Sequence, residues 1–332
     1  MRAVAAAIGL ALLAAACGPE DVGDGILATP QLSSDGSSTV FPIAEAMAES
    51  FQLATGIRVS AGQSGTGGGF KKFCRGEIDI AAASRAIKES EMQACAEAGI
   101  AFIELPVALD ALAVVVNPSN DWANCLTVEE LAKAWGPDSE GKVTSWAQIR
   151  EGFPNAPLTL YGPGVDSGTF DYFTDAVNGE EGASRTDFTA TEDDNVIIQG
   201  VSGDRAALGY MGIAYAEAAG SRIRKVEIRR PEDGVCAPAS IETARSGEYR
   251  PLTRPLFFYV SKASADQKPH VRQFVRYVFD PANAELIREV GYVPMPEASY
   301  PGVLKRFEDG VTGHAPGDLA ALIRGAAPTA KP

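Results

Sequence analysis

The sequence predicts an α/β fold of two lobes, and three observations carry that prediction. A strand, a loop of small residues and a helix follow one another repeatedly, which places the loops together at the C-terminal ends of the strands. Two continuous apolar runs, 107–117 and 256–261, read as strands that leave the first lobe and return to it. The chain has 332 residues, more than one small core accommodates.

The elements are read in order. Residues 26–34 lead into Asp35-Gly36-Ser37-Ser38-Thr39. A helix over 40–55 follows, with Ile43, Met47 and Phe51 at helical spacing and Gly56 as its stop. A strand at 57–61 runs into the glycine-rich loop 62–69, and a helix spans 70 to about 75. A strand at 78–83 ends in Ser84-Arg85. A helix over about 89–98 and a strand at 101–105 come next. In the second lobe Thr127 caps a helix to 135 with Glu130 at the capping-box position. Trp146 and Ile149 anchor a short helix. A strand at 158–161 precedes a helix opened by Asp166, Ser167, Gly168 and Thr169. Further helices are expected at 192–201, 213–219 and 239–246, with strands at 207–211 and 223–229. Helices at 267–279 and 282–290 complete the first lobe.

The hydroxyl-bearing loops are the chemical content of the sequence. A helix start leaves backbone N–H groups without partners and is electropositive, so small hydroxyl residues and glycine there admit an oxyanion. A simple Asp/Ser N-cap explains any one of them. Three within one alternating chain point to an oxyanion pocket. A formal charge of −14 excludes nucleic acid as a partner and requires local donors to hold any anion.

Residues 1–16 read as a signal peptide: Arg2, an apolar stretch from Val4 to Leu13, and the small residues Ala14-Ala15-Ala16 before Cys17. This resembles a bacterial lipobox, with Cys17 as the acylated first mature residue. A plain signal peptide cut near Ala16 is the alternative. Residues 17–30 form a flexible tether, and the Ala/Pro/Gly-rich stretch 316–332 a flexible tail. The remaining cysteines are Cys74, Cys95, Cys125 and Cys236; an exported chain meets an oxidising compartment, so two disulfides are expected. Four cysteines allow three connectivities, and the two-lobe layout pairs Cys74 with Cys95 and Cys125 with Cys236. No CxxC occurs and the two histidines lie far from all four cysteines, so no metal site and no cofactor are expected.

Six stretches carry a family resemblance: GSSTVFPI at 36–43, SGTGGGFKKFC at 64–74, IDIAAASRAIK at 78–88, GPGVDSGTFDYF at 162–173, DDNVIIQGVSGDRAALGYMG at 193–212 and RPLFFYV at 254–260. In this order they resemble the phosphate-binding protein of phosphate ABC importers (PstS type). The resemblance implies a type II periplasmic-binding-protein fold: each lobe a mixed sheet flanked by helices, joined by two crossing strands and closing on one phosphate. The lobes then comprise 31–108 with 258–315, and 109–257. It further implies high-affinity phosphate capture, delivery to membrane ABC permease subunits and a lipid-anchored, exported monomer in the periplasm or at the cell surface. The implied ligand residues are Ser38, Thr39, Thr66, Ser84, Arg85, Ser167, Gly168 and Thr169.

Two departures stand out. Better-known members carry an Asp in the segment matching 80–85 and an Arg shortly before the S-G-T triplet; here Ala81-Ala82-Ala83 and Gly162-Pro163-Gly164 occupy those stretches. A carboxylate that accepts the proton of phosphate is the natural way to exclude sulfate, and Asp166 is the candidate acceptor. Alternative readings are a phosphate sensor or surface lipoprotein and a binder of a related oxyanion such as sulfate. A Ser-dependent phosphatase lacks the histidine or carboxylate cluster its chemistry needs, so no catalytic residue is expected.

Overall fold

The computed structural model describes residues 31–165, 167–191 and 193–314. Cys17, the signal peptide, the tether, Asp166 and the tail 316–332 therefore lie outside the described residues. The first part of the chain alternates as expected: β1 (Gln31–Gly36), α1 (Phe41–Thr55), β2 (Arg58–Gln63), α2 (Thr66–Cys74), β3 (Ile80–Ala83) and α3 (Glu89–Glu97). Then β4 (Phe102–Val116) runs for fifteen residues, every one of them buried. It is followed by β5 (Cys125–Leu126), α4 (Val128–Trp135), α5 (Trp146–Ile149), β6 (Thr159–Gly162), α6 (Gly168–Asn178), β7 (Thr189–Ala190), α7 (Asp194–Gly203), β8 (Ala207–Gly212) and α8 (Ile213–Ala219). The chain closes with β9 (Arg224–Lys225), β10 (Glu227–Arg229), β11 (Cys236–Ala237), α9 (Ile241–Ser246), β12 (Thr253–Ser261), α10 (Lys262–Gln267), α11 (Pro269–Val278), α12 (Ala284–Glu289), β13 (Val293–Pro294) and α13 (Tyr300–Glu308).

The main sheet runs β2-β1-β3-β12-β4-β8-β6-β7, with β13 and β9 also on β4. It consists of two ladders that share β4. Residues 102–111 of β4 pair antiparallel with β12, and residues 112–116 pair antiparallel with β8. A side sheet, β11-β10-β5, is tied across its edges by the Cys125–Cys236 disulfide, while Cys74–Cys95 joins α2 to α3. Both pairings are those the layout assigned.

Four expectations change in detail. The strands at 101–105 and 107–117 are one strand: Pro106 lacks an N–H for the ladder, but it sits where the pairing with β12 slips between Leu256 and Phe257, a bulge that tolerates proline. The helix placed at 70–75 starts at Thr66, so the glycines belong to its first turns. The strand at 223–229 divides into β9 and β10, and the helix expected at 267–279 is α11, which starts at Pro269 after the separate short helix α10. The helix α13 and the strand β13 were not anticipated. The capping box at Thr127 and Glu130 is present, with Glu130 N–H donating to Thr127 Oγ1 and Thr127 N–H to Glu130 Oε2.

Candidate functional site

A cavity of about 320 Å³ lies where the loops after β1, β2 and β6 meet the middle of β4. Ser38, Gln63, Asp110, the Ser167–Thr169 stretch, Tyr215 and Tyr292 line it. From one side it receives α6. That helix buries Phe170, Tyr172, Phe173 and Val177 on one face. Phe173 stacks on Tyr210 at 3.7 Å between ring centroids, and Trp135 meets both rings edge-on. This aromatic cluster fixes where the N-terminus of α6 points. Ser167 caps the helix, accepting from Thr169 N–H at 3.2 Å.

From the other side comes the loop after β1. Gly36 turns it with φ of 147°, and a Cβ there would lie 2.0 Å from the Ala82 carbonyl oxygen, so only glycine passes β3 this closely. The start of α1 has no side-chain cap, which leaves Ser38 uncommitted to the helix. Thr39 is the contact between the two sides. Its hydroxyl donates to Gly168 O at 3.4 Å, and a Cβ on Gly168 would come within 2.4 Å of that same hydroxyl and 2.8 Å of Thr39 Cα.

Asp110, in the cavity lining, has a charged partner behind it. Asp110 and Arg254 stand opposite each other in the β4–β12 register. Arg254 Nε donates to Asp110 Oδ2 at 3.2 Å, and Arg254 Nη2 donates to Thr39 Oγ1 at 3.2 Å. The guanidinium lies 3.9 Å over the Tyr172 ring, whose hydroxyl is anchored on Pro251 O. Asp110 is 2 % exposed. Burial pushes its carboxyl above the usual range, and the charge and hydrogen bond of Arg254 only partly offset that.

Of the residues named from sequence, Ser38, Ser167, Gly168 and Thr169 are brought together in the cavity lining, with Thr39 at its inner edge. Thr66, Ser84 and Arg85 are not in that lining. Thr66 Oγ1 and Ser84 Oγ bond each other at 3.1 Å. Arg85 forks onto Glu91, 2.8 Å from each nitrogen to each carboxylate oxygen, and lies 5.8 Å over Phe70. Asp166, the acceptor expected from sequence, lies outside the described residues. Asp35, the nearest acid on the β1 side, accepts from Lys72 at 2.5 Å and from the Ser64 N–H and hydroxyl.

Sequence reasoning missed Asp110 and Arg254 as site residues. Each left a signal: Asp110 is a lone acid inside an apolar run, and Arg254 opens the apolar strand RPLFFYV. The candidate metal grouping among the described residues, Cys125 with Glu227 and Cys236, has both sulfurs committed to a disulfide.

A mixed α/β sheet whose two ladders meet on β4, with a polar cavity walled from both, is the architecture of the periplasmic-binding class. Residues 26–282 match the PBP superfamily domain. The chain is 49 % identical over 283 residues to Protein SphX of Synechococcus elongatus, covering 85 % of this chain and 82 % of the relative. It is 31 % identical over 304 residues to the phosphate-binding protein PstS of Staphylococcus saprophyticus, covering 91 % and 92 %. A solved structure, a possible phosphate binding protein from Planctomyces limnophilus, superposes with a TM-score of 0.80 at 43 % identity, over 85 % of this chain and 99 % of that one. The chain belongs to the PBP superfamily and, within it, to the family of PstS phosphate-binding proteins. That is a family of substrate-binding proteins of ABC transport, not of enzymes. Among the described residues no helix is long and apolar enough to cross a membrane.

Proposed function

We propose that this protein captures inorganic phosphate in the cavity between α6 and the loop after β1 and delivers it to a membrane ABC permease. The observation that carries this reading is the convergence of the Ser167–Thr169 helix start, Ser38 and Asp110 on one space, with Thr39 and Arg254 bonded to these groups just behind its lining. Bare amides and hydroxyls supply neutral donors. Arg254 supplies the cation, with a fork suited to two oxyanion oxygens. Asp110 takes the acceptor role for which the sequence offered Asp166. Its burial makes the carboxylate more basic and hence a stronger acceptor for a P–OH proton, whereas sulfate would set bare oxygen against it.

In this reading residues 31–108 with 258–315 form one lobe and 109–257 the other, and the Thr39–Gly168 contact is where they meet over the ligand. Ser167, Gly168, Thr169, Ser38 and Thr39 bind directly, while Thr66, Ser84 and Arg85 shape the wall behind. The protein works outside the cytoplasmic membrane, tethered through a lipid on Cys17, as a monomer. Calorimetric titration of anion-free protein with phosphate, arsenate and sulfate tests the reading. Phosphate and arsenate, both protonated near neutral pH, should bind at one site and sulfate far more weakly. A hundredfold excess of phosphate over its dissociation constant should stabilise the fold by about 2.7 kcal/mol. Equal binding of sulfate and phosphate, or no melting shift with phosphate, overturns it.

A further inference from the structure

A second, smaller cavity of about 170 Å³ lies behind the crossing strands, walled by Arg245, Arg288, Pro294, Met295, Glu297 and Tyr300 among others. Two guanidiniums border it against one carboxylate. Arg245 spends Nε on the Pro294 carbonyl at 3.2 Å and makes no ion pair among the described residues. Arg288 is held by Glu285 one turn away on the exposed side of α12. Burial, then the nearby Arg288 charge, pushes the Arg245 guanidinium below its ordinary range. Tyr300 is 2 % exposed, and its hydroxyl has no hydrogen-bond partner among the described residues. That phenol feels both guanidiniums and Glu297.

Two guanidiniums and an orphan buried hydroxyl around one small cavity, open to solvent on the Arg288 side, are an arrangement that folding alone does not favour. An unpaired buried hydroxyl is destabilising, and the half-buried Arg245 guanidinium, with no ion pair among the described residues, lies in the field of a second cation. One small anion relieves both. We propose that this cavity is a second anion site, for a small oxyanion or short carboxylate, clamped between Arg245 and Arg288 with the Tyr300 hydroxyl as a neutral donor. Its volume corresponds to about five or six water molecules, which fits such an anion with some hydration and excludes a nucleotide.

The position of the site gives it a consequence. Arg245 sits on α9, before β12, whereas Arg288 and Tyr300 come after it. The stretch between Arg288 and Pro294 faces both cavities, since Val290, Gly291 and Tyr292 line the phosphate cleft. Pro294 pairs with Ala108, two residues from Asp110. An anion bridging α9 and α12 therefore ties together the two halves that the cleft ligand also joins, and occupancy of either site changes the affinity of the other by the same factor. This coupling rests on the two-lobe reading proposed above; the binding itself does not.

The test separates the two sites. Gly168→Val drives a side chain into Thr39 and blocks the cleft. Into that variant, freed of anions, inorganic phosphate, sulfate and acetate are titrated separately by calorimetry. At least one should show a single saturable site in the millimolar range, weakened about tenfold or more by adding Arg245→Gln, the loss of one charge-assisted contact. Tyr300→Phe should weaken it less, and Glu297→Gln should strengthen it. No saturable binding of any of the three, or binding indifferent to both Arg245→Gln and Arg288→Gln, overturns the proposal. If Gly168→Val does not fold, phosphorus NMR of the unaltered chain takes its place: two bound phosphate environments are expected, one of which Arg245→Gln removes, and a single environment untouched by Arg245→Gln overturns the site. Loss of the cleft environment alone would defeat the functional reading and leave this site standing.

Discussion

Two arginines stand beside hydroxyl-rich loops in this protein, and they are paired in opposite ways. Arg85 meets Glu91 with two parallel contacts of 2.8 Å, and a further Nη1 contact on Ala86 O. Its side chain is 33 % exposed, so water shares the pair. Arg254 makes a single 3.2 Å contact to a carboxylate whose side chain is 3 % exposed, and a second to the Thr39 hydroxyl. The first fork is used up on a partner six residues away. The second makes single contacts to the cavity-lining acid Asp110 and to Thr39, and lies over the Tyr172 ring. What makes an arginine available to a ligand is what its own neighbours leave unspent.

The comparison can be broken by removing each arginine in turn. Arg254→Ala strands a buried carboxylate, which typically costs about 3–5 kcal/mol, and should also abolish tight phosphate binding. Arg85→Ala removes a partly exposed pair worth about 0–1 kcal/mol and should leave phosphate affinity nearly unchanged. Urea denaturation and phosphate titration of both variants decide the matter. If Arg85→Ala loses phosphate while Arg254→Ala keeps it, the two arginines have been assigned the wrong way round.

A smaller effect sharpens the role of the acid. Asp110→Asn keeps the size and one acceptor oxygen but presents an N–H₂ donor where a protonated phosphate needs an acceptor. Phosphate should lose about 1.5–3 kcal/mol, ten- to a hundredfold in affinity, and sulfate should gain. The diagnostic quantity is the phosphate-to-sulfate ratio, because a general disturbance of the Arg254 contact would weaken both anions together. An unchanged ratio would remove Asp110 from the selectivity mechanism.

How far the sequence reached follows the range of the forces involved. The capping box at Thr127 and the α6 cap at Ser167 depend on residues two or three positions apart, and they were legible. The disulfide pairings were legible because the alternation of elements implied which segments are neighbours. The continuity of β4 was not, since Pro106 argues locally for a break and only the bulge opposite Phe257 makes it tolerable. The Asp110–Arg254 pair was the largest omission. Asp110 and Arg254 are 144 residues apart in sequence and become partners only through the β4–β12 register. Motif reading favoured Arg85, which follows a hydroxyl directly. Its capture by Glu91 within the same segment was in principle visible.

The smallest effect concerns Asp171, in the first turn of α6. A helix N-terminus ordinarily favours an ionised acid. Here burial, followed by the charge and hydrogen bond of Glu181, outweighs that and pushes the carboxyl up to about 6, with Arg254 pulling the other way. The folded state therefore holds a proton that the unfolded chain releases near the ordinary carboxyl value of 3.8. Between those limits the folded protein binds more protons, so this group favours folding at low pH and its contribution is lost as pH rises through about 6. Asp171→Asn removes the cost of ionisation. The variant should match the parent near pH 4 and exceed it above about pH 7, by on the order of 1 kcal/mol once the partial exposure of the group is discounted. In an Arg254→Ala background the same substitution should gain more, because the cation that eases the ionisation of Asp171 is gone. Urea midpoints measured across that pH range check both statements. A gain of equal size at both ends of the range would trace to packing and not to ionisation, and would detach Asp171 from the field of Arg254.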